Sequence, residues 1–305
     1  METRDENLKC NICPRKCGVD RTRETGFCGM SDKPETALYM LHRWEEPFIS
    51  GSGDERGSGT VFFRGCSLKC VYCQNHKIAY NLRGDENEDN NKRNEKLTDI
   101  FLRLQDMGAY NINLVTPTHF TPWIARAVRE AKKAGLGIPV VWNTSGYELP
   151  ETVEALKGIV DIYLTDFKYY KEAPALRYSN APRYFETAAA ALDVMVRQRP
   201  GLVFGPDGML KSGVVVRHLA LPGLLSDCCR ILEYLYRKYG DNIFISIMSQ
   251  YTPQKTCDFN KYPELRNKVS QRQYAKLVKF AKDLGITNAF IQSGAAVSES
   301  FIPKF

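Results

Sequence analysis

Thr60-Val61-Phe62-Phe63-Arg64-Gly65-Cys66-Ser67-Leu68-Lys69-Cys70-Val71-Tyr72-Cys73-Gln74-Asn75 is the stretch on which the reading of this chain turns. Its opening run is apolar and β-prone, which predicts a strand ending just before the first cysteine. The cysteines are spaced C-x3-C-x2-C, with an aromatic residue, Tyr72, immediately before the last. Three thiolates in one tight loop suit three irons of a [4Fe–4S] cluster, and the fourth iron is left without a protein ligand, where chemistry can occur. A closed structural metal site needs four ligands rather than three. The alternative is three buried cysteines, or a zinc site completed by a distant fourth ligand.

Downstream of this loop, β-like runs alternate with helical ones. Leu97 to Met107 carries apolar residues at helical spacing and stops at Gly108. Asn111 to Thr116 predicts the next strand, and Thr121-Pro122 opens a helix, with Thr121 as N-cap, that ends near Gly135. Further strands are predicted at Ile138–Asn143, Ile159–Thr165, Gly213–Leu219 and Ile243–Met248, with an edge strand at Asn288–Gln292. The helices between them fall at Pro150–Leu156, Thr187–Gln198, Ser226–Tyr239 and Tyr274–Leu284. Such alternation predicts a parallel sheet, and functional loops then lie at the C-terminal ends of the strands. The charged, Asn-rich run from Arg83 to Asn94 lacks apolar periodicity and is expected to be a mobile loop, with a lid as one role for it.

A second cysteine group precedes the first. Cys10, Cys13, Cys17 and Cys28 are spaced C-x2-C-x3-C-x10-C. Four thiolates form a complete set for zinc or for a second iron–sulfur cluster, and the spacing does not choose between them. The segment is short and polar, so bound metal would supply much of its stability. Cys228, Cys229 and Cys257 lack ligand spacing and are expected to be packed thiols.

The Cys66–Cys73 loop resembles the signature of the radical S-adenosylmethionine (SAM) superfamily. Within it, the chain is similar to the pyruvate formate-lyase activating enzyme-like group, closest to an uncharacterised branch. The resemblance spans roughly residues 50–293 and implies an α/β fold, a partial (β/α)6 TIM-like barrel, here with an N-terminal Cys-rich metal-binding extension. It also implies a [4Fe–4S] cluster on Cys66, Cys70 and Cys73, with SAM chelating the open iron. The expected division is 1–49 for the extension, 50–293 for the barrel and 294–305 for a C-terminal tail. In better-known activating enzymes the extra cysteines follow the signature loop. Here they precede it, which favours a structural knuckle over an electron relay.

The resemblance also nominates SAM contacts. Tyr72 is placed near adenine. Thr116-Pro117-Thr118-His119 stands where the superfamily has a Gly-Gly-Glu-Pro-like turn, so the contact to the SAM amino group falls to the Thr116 or Thr118 hydroxyl, a backbone carbonyl or His119. Asn143-Thr144-Ser145-Gly146 is similar to an Asp-Thr-Asn-Gly turn, and this makes Asn143 and Ser145 polar contacts. Asp166-Phe167-Lys168 matches Asp-Leu-Lys, with Lys168 as a point charge for the SAM carboxylate. Arg217, ahead of Pro222-Gly223, is a carboxylate or ribose partner, and Gln250 or Tyr251 replaces a histidine near adenine.

Composition sets outer bounds. The 305 residues carry a formal net charge of +7, with basic residues dispersed rather than clustered with aromatics, so nucleic-acid binding is not indicated. No apolar run is long enough for a bilayer, the first residues do not form a secretory n-region, and ten cysteines without an export signal suggest a cytoplasmic chain. The expected function is oxidoreductase chemistry: reductive SAM cleavage to a 5′-deoxyadenosyl radical that abstracts a hydrogen atom. Its partners would be a one-electron donor such as flavodoxin or ferredoxin and a glycyl-radical protein. The alternatives are modification of a small molecule, peptide or nucleic acid, or a non-catalytic iron–sulfur protein.

Overall fold

The computed structural model of the chain describes residues 9–52, 56–82 and 95–291. In chain order its elements begin with β1 (Thr36–His42), α1 (Pro47–Ser50), β2 (Ser58–Phe63), α2 (His76–Ala79), α3 (Leu97–Asp106) and β3 (Ile112–Val115). They continue with α4 (Thr121–Lys133), β4 (Val140–Thr144), α5 (Pro150–Glu154), β5 (Ile162–Asp166), α6 (Glu172–Ser179) and α7 (Tyr184–Gln198). The last are β6 (Val203–Phe204), β7 (Leu210–Leu219), α8 (Leu225–Tyr239), β8 (Phe244–Met248), α9 (Gln271–Asp283) and β9 (Ala289–Ile291).

The strands hydrogen-bond in the order β1-β2-β3-β4-β5-β7-β8-β9, with β6 hanging antiparallel on β7. Along the main path every neighbour pair from β2 to β9 is parallel, and β1 runs antiparallel along β2. Six parallel strands from β2 to β8, with β9 at the edge, make the expected partial barrel. Among the described residues β1 and β9 do not pair, so the sheet stays open.

Period-two alternation sorts the side chains. Val61 and Phe63, Ile112 and Leu114, Val140 and Trp142, Val214 and Val216, and Ile245 and Ile247 all join one large core under the helices. Helix α4 shows why its sequence packs there: Ile124, Ala125, Ala127, Val128 and Ala131 are buried at helical spacing, while Arg126, Arg129 and Glu130 face out. The alternate strand residues face the concave side, where Val141, Ile162, Leu164 and Val215 form a separate small core with Ile49.

Ile49 comes from a segment the expected division had set outside the barrel. Residues 36–49 belong to the expected extension, yet β1 completes the sheet edge and the chain after it plugs the concave face. Phe48 packs on Phe244 at 4.6 Å between centroids, and the Asn111 amide donates to the Ile49 carbonyl at 2.7 Å. Above them Glu45 and Glu46 both accept from the Arg217 guanidinium of β7, and Asn113 of β3 donates to Glu45 at 2.9 Å. Burial by itself would raise the Glu46 carboxyl, but the Arg217 charge and its hydrogen bonds outweigh that and hold it below its ordinary value.

Smaller expectations shifted too. Thr121 is the first helical residue and not the N-cap, because its hydroxyl donates back to the Thr118 carbonyl at 2.6 Å. Helix α9 begins three residues before the expected Tyr274, at a capping box formed by Ser270 and Gln273. A further helix, α6, precedes the one expected to start at Thr187. The run from Arg83 to Asn94 and the tail from 294 lie outside the described residues.

Because Glu46 titrates lower in the folded chain, its stabilisation is present above the unfolded carboxyl value of about 4.3 and is lost as pH falls from there through the folded value. Glu46→Gln is expected to cost about 2–3 kcal/mol at pH 7, with the gap to wild type narrowing below about pH 4. Urea denaturation of both proteins across pH checks this, and a gap independent of pH would contradict the assignment.

Candidate active site

Beyond the C-terminal ends of the parallel strands lies a cavity of about 270 Å³. Cys66, Cys70 and Cys73 line it together with Tyr72, Gln74 and Asn75 of the same loop. Strand ends supply Phe62, Val115, Thr116, Asn143, Thr144, Asp166, Arg217 and Met248, and the loops after them add Ser145, Lys168 and Gln250. Residues proposed from six separated places in the sequence thus meet in one space because parallel strands end on the same side.

The cysteine loop is held by its surroundings. At Gly65 φ is +79°, and a Cβ there would stand 2.3 Å from Met30 Cγ and 2.7 Å from the Cys28 carbonyl oxygen. The Gly65 amide donates to the Ile78 carbonyl at 2.8 Å, and the Leu68 amide points at Cys66 Sγ at 3.3 Å. A hydroxyl chain runs from Tyr72 to Tyr169 at 2.7 Å and on to Ser179 at 2.7 Å, and Ser179 donates to Cys70 Sγ at 2.9 Å. Burial pushes the Cys70 and Cys73 thiols up, so as free groups they are protonated at neutral pH, and metal ligation would be what draws the protons off.

These features fit a polynuclear cluster. Three thiols from one loop, all lining the same cavity, are a donor set for three irons of such a cluster and leave the fourth position to a ligand. N–H and O–H donors aimed at Cys66 and Cys70 are the contacts that tune such sulfurs.

The proposed SAM contacts fare differently from one another. Tyr72 is buried, with its ring edge-on to Tyr251 at 6.3 Å, and both line the cavity. Lys168 Nζ sits 2.5 Å from Asp166 Oδ2; burial would lower its pKa, but Asp166 and Cys70 outweigh this and keep it charged. Asn143 and Ser145 border the cavity, and their carbonyls accept from the Thr116 amide at 2.9 Å and the Tyr184 hydroxyl at 2.8 Å. Gly146 permits this turn: its φ is +77°, and a Cβ would lie 2.2 Å from the Asp166 carbonyl oxygen.

Thr116 holds φ +58°, left-handed backbone that a β-branched residue adopts only under strain. The turn thus keeps a glycine-like conformation without the glycine. Thr118 and His119, by contrast, are not in the cavity. Thr118 donates to the buried Glu148 carboxylate at 3.0 Å. The His119 ring meets the Arg64 carbonyl at 2.7 Å, and burial lowers its pKa to about 4, leaving it neutral. Arg217 reaches the cavity but is already paired with Glu45 and Glu46.

Sequence reasoning missed His42, Trp44 and Glu45, which form the cavity wall on the plug side. Trp44 is 61% exposed, and burial lowers the pKa of His42. Only the juxtaposition of β1 with β2 brings them there; no spacing signalled it. Also missed was Arg15, which donates from Nε to the Ser67 carbonyl at 2.6 Å and from Nη1 to the Asn180 carbonyl at 2.5 Å. Arg21 makes a parallel anchor, donating to the His119 carbonyl at 2.5 Å. Arg15 thus docks the N-terminal segment against the signature loop, and Arg21 ties it to the turn that follows β3.

Residues 60–211 match the family model of the radical SAM superfamily. The uncharacterised protein MJ0674 of Methanocaldococcus jannaschii is 28% identical over 277 residues, covering 90% of this chain and 74% of that one. Among solved structures, a domain of pyruvate-formate lyase-activating enzyme from Bacteroides vulgatus is 13% identical with a TM-score of 0.40, over 58% of this chain and 91% of that one. SuiB of Streptococcus suis, solved bound to S-adenosylmethionine, is also 13% identical, with a TM-score of 0.48 over 76% of this chain and 49% of that one.

Gly65→Ala is expected to destabilise the chain by about 3 kcal/mol or more, since both the positive φ and the Cys28 carbonyl oppose a methyl group. Denaturant titration measures it. A change under about 0.5 kcal/mol would mean that the loop does not rest on the N-terminal segment as described.

Proposed function

We propose that this chain, which belongs to the radical SAM superfamily, is an enzyme that cleaves SAM reductively beside Cys66, Cys70 and Cys73 and uses the resulting radical to take a hydrogen atom from a substrate. The observation that carries this reading is the convergence of three thiols, Tyr72 and several polar strand ends on one cavity. The chemistry that a bound [4Fe–4S] cluster and SAM supply is one-electron scission of the sulfonium into methionine and a 5′-deoxyadenosyl radical.

The chain's own groups then have separable tasks. Cys66, Cys70 and Cys73 would hold three irons, and the Leu68 N–H and Ser179 O–H donors would offset thiolate charge. Lys168, kept protonated, offers a point charge to the SAM carboxylate, and Asn143, Ser145 and Thr116 offer neutral hydrogen bonds nearby. Tyr72 and Tyr251 give the adenine an aromatic wall. Arg217, engaged by two carboxylates, serves better as the rigid floor of the cavity than as a free anion clamp. His42, Trp44 and Glu45 then face the substrate side.

Glycyl-radical enzyme activation is the substrate reading we favour, with flavodoxin or ferredoxin as donor. It follows from the likeness of the Asp166-Phe167-Lys168 and Arg217 to Gly223 segments to the activating enzymes. The other reading, turnover of a smaller molecule or peptide, is favoured by the wall of His42, Trp44 and Glu45, which presents chemically distinct groups to a bound substrate.

Cys70→Ala is expected to remove about four irons per chain and to bring 5′-deoxyadenosine formation to background while the fold persists. Iron analysis and a nucleoside assay with SAM and dithionite under anaerobic conditions decide it. Continued nucleoside formation by the variant would sink the mechanism.

A further inference from the structure

The polar groups offered to SAM stand at the ends of three neighbouring strands: Thr116 after β3, Asn143 and Ser145 at β4, and Asp166 and Lys168 at β5. A ligand held by all three needs them fixed relative to one another, because ordering them on binding would cost affinity. The backbone supplies one tie, the Thr116 amide on the Asn143 carbonyl at 2.9 Å. Two fully buried side chains that do not line the cavity, Tyr184 and Glu148, supply the others.

We infer that Tyr184 and Glu148 are positioning residues for SAM, which lock the ends of β3, β4 and β5 into one rigid frame without touching the ligand. This rests on the radical SAM reading of the cavity.

Tyr184 joins β4 to β5. Its hydroxyl accepts from the Lys168 amide at 2.9 Å and donates to the Ser145 carbonyl at 2.8 Å, with the Asp166 carbonyl at 3.3 Å. One oxygen thus spans both turns and fixes the backbone from which the Lys168 ammonium is offered. The ring cannot follow a moving turn. It stacks on Tyr147 at 6.0 Å with 7° between the planes, and meets Tyr169 edge-on at 5.3 Å and Phe167 at 6.3 Å. Tyr184 also opens α7 directly after Arg183, whose left-handed φ of +52° is held by an amide bond to the Glu172 carboxylate at 2.9 Å.

Glu148 joins β3 to β4. Its Oε1 accepts from the Thr118 hydroxyl at 3.0 Å and from Trp142 Nε1 at 2.9 Å, and its amide donates to the Gly146 carbonyl at 3.0 Å. Thr116 needs such a grip. Its left-handed φ of +58° persists only where the surroundings enforce it, and Thr118, two residues on, is pinned by Glu148. Burial pushes the Glu148 carboxyl up, and the groups that oppose this, Thr144, Trp142 and Thr118, are neutral donors. What the frame uses is therefore an acceptor oxygen, not a charge.

The test compares anaerobically reconstituted wild type with Tyr184→Phe, Glu148→Ala, Glu148→Gln and, as a control, Tyr163→Phe. Tyr163 is a buried tyrosine whose hydroxyl donates to Gln198 Oε1 at 2.8 Å, away from the cavity. The SAM concentration that gives half of the change in the electron paramagnetic resonance spectrum of the reduced cluster should rise about tenfold in Tyr184→Phe and Glu148→Ala. It should stay within about twofold of wild type in Glu148→Gln, which keeps the acceptor, and in Tyr163→Phe. At saturating SAM the 5′-deoxyadenosine rate should stay within about threefold throughout, as expected of groups that act on binding rather than on bond scission. Hydrogen exchange on the SAM-free chain reads the frame directly: the Lys168 amide should exchange at least about tenfold faster in Tyr184→Phe than in Tyr163→Phe. Unchanged SAM affinity in Tyr184→Phe would overturn the proposal. So would equal losses in Tyr184→Phe and Tyr163→Phe, the sign of a general softening, or equal losses in Glu148→Gln and Glu148→Ala. If Tyr184→Phe fails to fold, the two Glu148 variants still decide. A wild type whose spectrum never responds to SAM would show something different, that the reading of the cavity itself is wrong and this proposal with it.

Discussion

An open, strongly curved sheet must fill its concave face, and here the buried ion group of Arg217, Glu45 and Glu46 is the interaction on which that filling depends. It ties β7, in the middle of the sheet, to the chain that follows the edge strand β1. Asn113 adds β3 to the same knot. Below it Phe48 and Ile49 supply the apolar filling, and above it the cavity begins. Removing Arg217 would leave two buried carboxylates without their counter-charge, whereas removing one carboxylate leaves the other paired with the guanidinium. The floor of the site is therefore rigid, and the side chains above it start from a fixed base.

The opposite wall is set by a different constraint, the need to hold buried thiols in a defined loop. Hydroxyls from Tyr72, Tyr169 and Ser179 form one chain that ends on Cys70. Arg15 brings a separate segment of chain against that loop from outside, and Arg21 ties the same segment to the turn after β3, both by donating to backbone carbonyls. Carbonyl acceptors leave no trace in the identity of the residues that bear them. That is why these two anchors were invisible as sequence, even though they join the N-terminal segment to the signature loop and to the turn after β3.

Much of the candidate site could nonetheless be read from the chain. Cys66, Cys70, Tyr72 and Cys73 sit in a local loop whose spacing carries its own meaning, and Asn143, Ser145, Asp166, Lys168 and Gln250 follow strands recognisable by their apolar runs. Thr118 and His119 misled because they follow a strand at the same offset as the others, yet a 3₁₀ turn at Thr118–Phe120 carries them into the core. There Thr118 satisfies a buried carboxylate and His119 a backbone carbonyl. Offset after a strand places a residue near the cavity, but local helical geometry decides which way it faces.

The sequence by itself determined the order of the parallel strands and of the main helices between them, and the three-thiol loop, because each rests on periodicity or spacing within a few residues. Only the tertiary structure decided that residues 36–50 complete and plug the sheet, that Arg217 is engaged by Glu45 and Glu46, and that Cys28 lies one hydrogen bond from Cys66. These are contacts between segments far apart in the chain. They depend on which faces remain unfilled once the sheet has formed, and no local pattern encodes that.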